Sequence, residues 1–326
     1  MSNKEALNLK KIAEALIYAS KTNPCSHGAE LDLVERLKSN NSLLEARLRR
    51  TQNVLKQLKV GPNGIIVDLG CGNALNSVLC LMCGIGEVHS IEVEDKRFHT
   101  AQIVVDYLDI GNRIHLYQAN ILDLDLPHNS IDGAFSAELL EHISDLSGLY
   151  KKLKDWLKTG GVVYARTGAN GKNFRKHKTF RKEWDALDVD YEKQRLDIIR
   201  RKATHLNIDV ASDIARRTRG LMSEEVEKEV DEWLHNGKLV IDRRPCAPRD
   251  PYTGEYMERL LDPFLVAKQI DNEGFKTNVL RPDFSSLTME TPFERHMYWF
   301  LGQLIRLTHP LSLCMAPWLE LRSVKI

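Results

Sequence analysis

The architecture of this chain depends on residues 65–72, which read Ile65-Ile66-Val67-Asp68-Leu69-Gly70-Cys71-Gly72. A short β-branched apolar run that ends in glycines is typical of a buried parallel strand followed by a tight turn. An apolar helical pattern follows over about 74–83. A strand, a glycine turn and a helix in this order form a nucleotide-binding site, because the backbone and the helix N-terminus approach the ligand closely.

Strands and helices continue to alternate on the carboxyl side of this turn. Strands are predicted at 88–93, 113–119, 132–136 and 162–167, and helices at 95–109 and 146–157. Asp145 is the expected N-cap of the later helix, and Thr159-Gly160-Gly161 its expected end. Such alternation predicts right-handed βαβ units and a parallel sheet with helices on both faces.

The pattern divides the chain into three segments. Residues 1–60 read as amphipathic helices, and residues 61–170 together with 255–326 read as one α/β domain. Between these parts, 171–254 is charged and helical, so we interpret it as an insertion that covers the sheet as a substrate lid. Within 255–326 we predict helices at 263–270 and 293–307 and strands at 275–280 and 318–325.

Composition excludes several classes of function. The 326 residues carry 46 basic and 45 acidic side chains, a formal charge of +1, so no global field attracts nucleic acid or membrane. The longest apolar stretches fall short of the roughly 20 residues of a membrane helix. The six cysteines lack the spacing of a disulfide scaffold, and Cys80 and Cys83 lie in an apolar helical run. We therefore expect a cytoplasmic protein with no membrane span and no bound metal.

The turn itself favours one cofactor class over another. The dinucleotide fingerprint requires a third glycine at position 75, where this chain has Leu75. Asp68 would repel a pyrophosphate but would attract the cationic amino group of a methionine moiety, directly or through water. The sequence therefore predicts S-adenosylmethionine as the cofactor, in preference to a nicotinamide or flavin dinucleotide.

Two further strand ends carry candidate cofactor ligands. Glu92 ends the second strand, where a carboxylate can accept hydrogen bonds from both ribose hydroxyls; the alternative is a solvated acid at a strand end. After the third strand, Asn120 can accept a hydrogen bond from the adenine amino group, and Ile121 can pack on the ring. The alternative for Asn120 is an ordinary Asx turn.

The fourth strand is followed by Glu138-Leu139-Leu140-Glu141-His142, at the carboxyl edge where such sheets bind ligands. His142 is the best candidate for a general base, with Glu138 and Glu141 as further candidates. The alternative for His142 is a histidine that braces the loop or lies on the next helix.

Together these motifs resemble the class I methyltransferases, in particular the small-molecule branch that includes ubiquinone- and menaquinone-biosynthesis enzymes. The resemblance covers about 61–168. It consists of 67–72 at the first turn, Ile91-Glu92, the stretch 126–132, Leu140-Glu141-His142 and 157–161. Ala74 departs from the family's third glycine, and Asn120 from its usual aspartate.

The resemblance implies a Rossmann-like sheet of seven strands, mostly parallel, whose last strand is antiparallel; 318–325 would supply that strand. It also implies which residues bind S-adenosyl-L-methionine. These are Asp68, Gly70, Cys71, Gly72, Asn73, Glu92, Asn120, Ile121 and Glu138.

The methyl acceptor is less defined by the sequence. We expect a small polar molecule, with O-methylation of a sugar-, lipid- or phosphate-linked metabolite as the leading interpretation. Between Arg166 and Lys182 the chain carries seven basic and no acidic residues. This cluster either binds an anionic group of the acceptor or forms a solvated helix face balanced by the acidic residues after it.

The sequence leaves two alternative functions. RNA methyltransferases of this fold usually carry an N-P-P-Y-like tetrapeptide after strand four, where this chain has Ala137-Glu138-Leu139-Leu140. Pro245-Cys246, a pair that can signal a cysteine nucleophile, falls inside the insertion. A non-catalytic module that binds S-adenosylmethionine is the remaining alternative. The sequence does not define an oligomeric state.

Overall fold

The computed structural model of the chain describes residues 8–24, 34–37, 42–240, 246–281 and 310–326, together with a few single positions between 296 and 308.

Seven strands form one sheet in the order β3-β2-β1-β4-β5-β7-β6. Their bounds are Ile65–Leu69 (β1), Glu87–Glu92 (β2), Ile114–Gln118 (β3), Ile131–Ala137 (β4), Leu157–Thr167 (β5), Phe275–Val279 (β6) and Leu319–Lys325 (β7). The first five strands pair in parallel, and β7 is antiparallel to both of its neighbours. The predicted fold class is therefore confirmed. Because β1 lies between β2 and β4, the chain reverses direction in the sheet at β1, and open α/β sheets bind ligands at such a switch point.

Ten α-helices have both ends within the described residues, and residues 34–37 are also helical. Their bounds are Leu9–Thr22 (α1), Ser42–Leu58 (α2), Leu75–Met82 (α3), Asp95–Leu108 (α4), Leu146–Trp156 (α5), Phe174–Leu187 (α6), Val189–Lys202 (α7), Ile208–Arg217 (α8), Ser223–Asn236 (α9) and Pro263–Asn272 (α10). Helices α1–α4 share one apolar core with the sheet, and α5 and α10 share a second core on its other face. Both faces are covered, as the sequence pattern predicts for a parallel sheet.

The end of α5 differs from the sequence expectation. Asp145 caps the helix as predicted, and its carboxylate accepts a hydrogen bond from Gly148 N at 2.8 Å. The helix ends at Trp156, however, and residues 159–161 lie within the bounds of β5. The reason is burial, since Leu157 is fully buried and pairs with Ile131 of β4. Most of the helix predicted over 293–307 lies outside the described residues.

The predicted insertion, residues 171–254, contains α6–α9. The last three of these helices share an apolar core, whose fully buried members include Ile199, Ala215 and Val230. Hydrogen bonds from Leu261 N to Ala169 O and from Gly171 N to Leu261 O, both 2.8 Å, join the chain at the start of this segment to the chain seven residues after it.

A buried ionic group holds three helices of the insertion together. Arg195 is fully buried, and its guanidinium donates two hydrogen bonds to Asp188, at 3.1 and 2.7 Å. The same carboxylate accepts a bond from Arg219 Nε at 2.9 Å. No helix in the described part of the chain is long and apolar enough to span a bilayer.

Candidate active site

The turn after β1 is built from residues in the left-handed region. Gly70 has φ of +70° and Gly72 of +57°, which favours glycine at both positions. A Cβ atom on Gly70 would lie 3.1 Å from the side chain of Leu139, so glycine also keeps this turn close to the loop after β4. Cys71 N donates a hydrogen bond to Ile91 O at 2.9 Å, which joins the turn to β2.

Asp68 lies beneath this turn with 1% of its surface exposed. Its carboxylate accepts a hydrogen bond from Ser77 Oγ at 2.6 Å, and Ser77 Oγ accepts one from Ser90 Oγ at 2.9 Å. Burial raises the pKa of Asp68 from 3.8 to about 7, and the hydrogen bond from Ser77 opposes this shift only in part. The sequence reasoning missed both serines; a hydroxyl two residues into the helix after the turn was the available signal.

Glu92 reaches from the end of β2 to the glycine turn. Its Oε2 atom accepts a hydrogen bond from Gly72 N at 2.8 Å, and its Oε1 atom accepts bonds from Val93 N and Glu94 N at 3.0 and 2.9 Å. A carboxylate offers about four lone-pair positions, so one acceptor position remains on Oε2. Glu92 is therefore not a solvated strand-end acid, since it is 5% exposed and fixed by three backbone amides.

The remaining predicted cofactor residues lie in turns at the same sheet edge. Asn73 Oδ1 accepts a hydrogen bond from Leu75 N at 3.2 Å, and Asn120 Oδ1 accepts one from Leu122 N at 3.0 Å. Asn120 thus forms the Asx turn that was its alternative interpretation, and its oxygen keeps a second lone pair. Ile121 is 6% exposed and packs in the core beside Leu69.

The loop after β4 brings the three predicted catalytic candidates to one place. Glu138 has φ of +55°, is exposed, and accepts a hydrogen bond from Gly168 N at 2.6 Å. Glu141 is 1% exposed, and its Oε2 atom is buried without a hydrogen-bond partner among the described residues. Burial, followed by the nearby charge of Glu138, raises the pKa of Glu141 to about 8.

His142 connects this loop to the chain just after the predicted insertion. Its Nδ1 atom lies 3.2 Å from Tyr256 O, and Tyr256 N donates to His142 O at 3.3 Å. A carbonyl oxygen can only accept, so Nδ1 carries the proton and the lone pair of a neutral ring lies on Nε2. The histidine braces the loop, as its alternative interpretation proposed, and this same contact leaves Nε2 as the basic atom.

The basic run between 166 and 182 does not act as one group. Arg166 is part of β5 and its side chain is 12% exposed, whereas Arg175, Lys178, Arg181 and Lys182 are exposed. Lys172 pairs with Asp262 at 2.6 Å. The acidic residues that follow do not all balance this run, because Asp188 is buried with Arg195.

No three His, Cys, Asp or Glu side chains in the described residues are grouped so that they could hold a metal ion. Burial raises the pKa of Cys80 well above its usual value, which fits the interpretation of the cysteine pair as helix packing. Cys246 donates to Arg219 O at 3.0 Å within the insertion.

Comparison with known proteins agrees with this architecture. Residues 67–165 match a family model described as a methyltransferase domain. A 27-O-demethylrifamycin SV methyltransferase of Amycolatopsis mediterranei is 24% identical over 120 residues, 37% of this chain and 44% of the relative. A sterol 24-C-methyltransferase of Gibberella zeae is 20% identical over 127 residues, 39% of this chain and 33% of the relative.

Among solved structures, a geranyl diphosphate C-methyltransferase of Streptomyces coelicolor A3(2) is 13% identical, with a TM-score of 0.46 over 92% of this chain and 85% of that chain. The chain spans less than half the length of the two curated relatives above.

The α/β sheet with its glycine turn and acidic strand ends defines a Rossmann-like nucleotide-binding domain. More narrowly, residues 67–165 match the model of a methyltransferase domain, and this confirms the predicted resemblance of this part of the chain to the S-adenosylmethionine-dependent methyltransferases. The ubiquinone-like branch stays a prediction.

The residues at the turn are compatible with this family's cofactor. Side chains at Gly70 and Gly72 would fill the space above the turn or strain its backbone. The two carboxylates at the turn also fit this cofactor, because carboxylates suit a cation and the hydroxyls of a ribose. A pyrophosphate would instead require amides or cations.

Proposed function

We propose that this chain transfers a methyl group from S-adenosylmethionine to a small acceptor bound between the carboxyl edge of the sheet and the helical insertion. The observation that supports this most is the position of Glu92. Its carboxylate contacts Gly72 N while Asp68 lies under the same turn, so two acidic strand ends flank one glycine turn. This arrangement suits a ligand that is cationic at one end and carries hydroxyl groups at the other.

The electrostatics of Asp68 favour a cation over a diphosphate. Its carboxyl has a pKa of about 7 and no cationic partner in the described part of the chain; the hydroxyl of Ser77 is its hydrogen-bond donor. A nearby ammonium or sulfonium would stabilise the ionised form, and a pyrophosphate would destabilise it. Glu92 and the backbone of the turn then orient the nucleoside.

The bound cofactor supplies a methyl group on a cationic sulfur, and its leaving group needs no protonation. The protein's task is therefore to align the acceptor with the methyl group and to exclude water. Tyr256, two residues after the predicted insertion, contacts the loop that carries His142, and Trp184 Nε1 of the insertion donates to Glu258 O at 2.9 Å. These contacts support a covering role for the insertion.

We assign the general base to His142. Because Nδ1 donates to Tyr256 O, Nε2 is available to accept a proton from an acceptor hydroxyl. Glu141 is a weaker candidate, since a pKa of about 8 keeps it protonated at neutral pH and makes it a hydrogen-bond donor. The hydrogen bond from Gly168 N fixes Glu138, whose exposed carboxylate can orient the acceptor or the cofactor.

The His142 assignment predicts a separation of binding from catalysis. In His142→Gln, we expect kcat to fall by about 10²–10⁴-fold on a hydroxyl acceptor, with little change in cofactor affinity. His128→Gln is a control at a histidine in an exposed position outside the site. Equal kcat in the two variants would remove His142 from the mechanism.

A small polar acceptor that carries a hydroxyl is the substrate class we propose, methylated on oxygen and linked to a sugar, lipid or phosphate. The relatives include both C- and O-methyltransferases, so the identity of the acceptor atom rests on His142 as a base. We do not propose a nucleic acid, because the exposed Glu138 brings a carboxylate to the edge that a phosphate backbone would approach.

Two measurements test this function. Calorimetry should detect heat with S-adenosylhomocysteine and none with NAD; tight NAD binding without uptake of the homocysteine compound would contradict the proposal. Label should then pass from tritiated S-adenosylmethionine to a compound in a metabolite extract. Binding without transfer to any acceptor class would instead indicate a non-catalytic module, and transfer to RNA would identify a nucleic-acid enzyme.

We also propose a reducing compartment, the cytoplasm, as the location. Cys71, Cys80, Cys83, Cys246 and Cys314, the cysteines that the structure describes, are all free thiols. Alkylation of these thiols in intact cells before and after reduction measures their state. A disulfide that forms in the native protein would contradict the proposal.

A further inference from the structure

Arg259 bridges the two chain segments that meet at the candidate base. Its guanidinium lies 4.7 Å from the ring centroid of Tyr256, and its Nη2 atom donates a hydrogen bond to Ile143 O. Ile143 directly follows His142, whose Nδ1 atom lies 3.2 Å from Tyr256 O. One side chain therefore contacts both sides of the hydrogen bond that holds the candidate base. The sequence analysis missed Arg259 because it lies 116 positions from Ile143 and outside every motif.

The hydrogen bond between His142 and Tyr256 decides which ring nitrogen is basic. Tyr256 O can only accept, so the bond requires the proton on Nδ1 and leaves the lone pair on Nε2. If this carbonyl moves away, the proton can occupy Nε2, and the ring then has no lone pair there. In serine proteases, a change that leaves the catalytic histidine in place but in the wrong tautomer lowers kcat by about 10⁴-fold. A residue that fixes Tyr256 O therefore acts on catalysis without touching the acceptor.

Tyr256 lies on a short hairpin, residues 248–257, that is fixed at its other end. Arg249 and Tyr256 pair in an antiparallel bridge. At the tip, Pro251 O accepts a hydrogen bond at 2.8 Å from Ser223 N, at the start of α9. The hairpin is thus tied to a helix at its tip, whereas its other end reaches the loop after β4.

A second arginine contacts the same ring and provides a comparison. The guanidinium of Arg249 lies 5.1 Å from the ring centroid of Tyr256, and its Nε atom donates to Gly254 O at 2.8 Å. Both contacts stay within the hairpin, whereas Arg259 reaches across to the loop of His142. Substitution of either arginine removes the same charge from the same ring, but only Arg259 also loses a contact with the loop after β4.

Packing alone does not explain an arginine at position 259. The side chain is partly buried, and its Nε atom has no hydrogen-bond partner among the described residues. Burial lowers the pKa of Arg259, and the charge of Arg249 adds to this effect, whereas Tyr256 opposes it. An apolar side chain would fill the same space without the desolvation that a cation incurs. The contacts with Tyr256 and Ile143 are therefore what a guanidinium contributes here.

We propose that Arg259 is a positioning residue for the general base, because it holds Tyr256 O against His142 Nδ1 and so keeps the lone pair on Nε2. This inference rests on the proposed function, in which His142 is the base. Arg259 contacts neither the acceptor nor the cofactor in this assignment. Its substitution should therefore change the tautomer of His142 and leave cofactor binding intact.

Nitrogen-15 NMR of the histidine rings tests this inference without a known acceptor. The full-length chain, labelled with ¹⁵N-histidine and saturated with S-adenosylhomocysteine, is measured at pH 8, above the ordinary histidine pKa of about 6.5. The signal that is missing from His142→Gln identifies the ring. We expect the proton on Nδ1 in the wild type. In Arg259→Gln, the ratio of Nε2–H to Nδ1–H should rise by about fivefold or more, the factor for one lost hydrogen bond.

Arg249→Gln is the matched control, since it removes the same charge from the same ring. Its tautomer ratio should change less than twofold. An equal rise in both variants would mean that the hairpin as a whole sets the tautomer, and the assignment to Arg259 would be overturned. A wild-type ratio in Arg259→Gln would overturn it as well.

Folding and the proposed function are checked in the same samples. S-adenosylhomocysteine affinity should change less than threefold in both arginine variants. Should Arg259→Gln unfold, Arg259→Met repeats the test, because methionine fills the space without a buried amide and has no donor for Ile143 O. A wild type that binds S-adenosylhomocysteine but carries the His142 proton on Nε2 overturns this inference. A wild type that binds no S-adenosylhomocysteine overturns the proposed function.

Discussion

Two aspartates in this chain are equally buried and differ in what surrounds them. Asp188 in the insertion is 1% exposed and contacts two arginines. Asp68 beneath the glycine turn is also 1% exposed, but its hydrogen-bond donor is the hydroxyl of Ser77, and its pKa is raised to about 7. A buried acid whose charge is neutralised by the protein's own arginines has a structural role. A buried acid whose hydrogen-bond donor is a hydroxyl indicates a place where a ligand supplies the positive charge.

The largest expected effect on stability comes from substitution of Asp188. Asp188→Asn leaves the fully buried Arg195 without its counter-charge, and we expect a loss of about 3–5 kcal/mol in the free energy of unfolding of the insertion. Urea unfolding monitored by the fluorescence of Trp184 and Trp233 measures this loss.

The matched control is Asp190→Asn, an exposed acid that pairs with Lys193 one turn later. This substitution should lower the free energy of unfolding by no more than about 0.5 kcal/mol. If the two variants were equally stable, the buried ionic group would not be structural and the comparison would fail.

Asp68→Asn is expected to increase the free energy of unfolding, the opposite of the effect of Asp188→Asn. Between pH 4 and 7 the folded protein keeps a proton on this acid that the unfolded chain releases, so wild-type stability falls as pH rises through this range and levels off above it. Asparagine removes this penalty, and the variant should be more stable than the wild type at pH 8 by about 2–4 kcal/mol.

The same pair of proteins provides its own control at low pH. Near pH 4 both folded proteins carry a neutral side chain at this position, and most of the difference should disappear. Chemical unfolding at the two pH values measures it. A variant less stable than the wild type at pH 8 would mean that Asp68 is ionised and stabilising in the folded protein, as Asp188 is.

The smallest of these effects concerns Glu92. Glu92→Gln removes the charged acceptor beside Gly72, and the affinity for S-adenosylhomocysteine should weaken by about 1–3 kcal/mol. Glu94→Gln, two residues further along the chain, is the control that should bind like the wild type. Equal affinity in both variants, measured by calorimetry, would show that Glu92 supports only the backbone of the turn.

The sheet and its switch point were predictable because they depend on local patterns. β-branched runs that end in glycine, helical periods and the cap at Asp145 each act within a few residues, and the structure confirms them. The strand β5 was predicted too short, since burial of Leu157 outweighed the turn signal of Gly160 and Gly161.

The site could be predicted by position but not by contact. Carboxyl ends of parallel strands meet at one edge, so Asp68, Glu92 and the loop of Glu138 were expected to lie together. The bond between His142 and Tyr256 joins residues 114 positions apart, and no local pattern reports it.

Proton release on cofactor binding tests the central claim most directly. At pH 7 about half of the Asp68 side chains carry a proton, and a cation bound nearby should expel it. Calorimetric titration with S-adenosylmethionine in two buffers of different ionisation enthalpy measures this release, and Asp68→Asn corrects for protons on the ligand. We expect the wild type to release about 0.5 proton more than the variant; equal release, with equal affinity, would contradict the assignment of Asp68 to a cationic ligand.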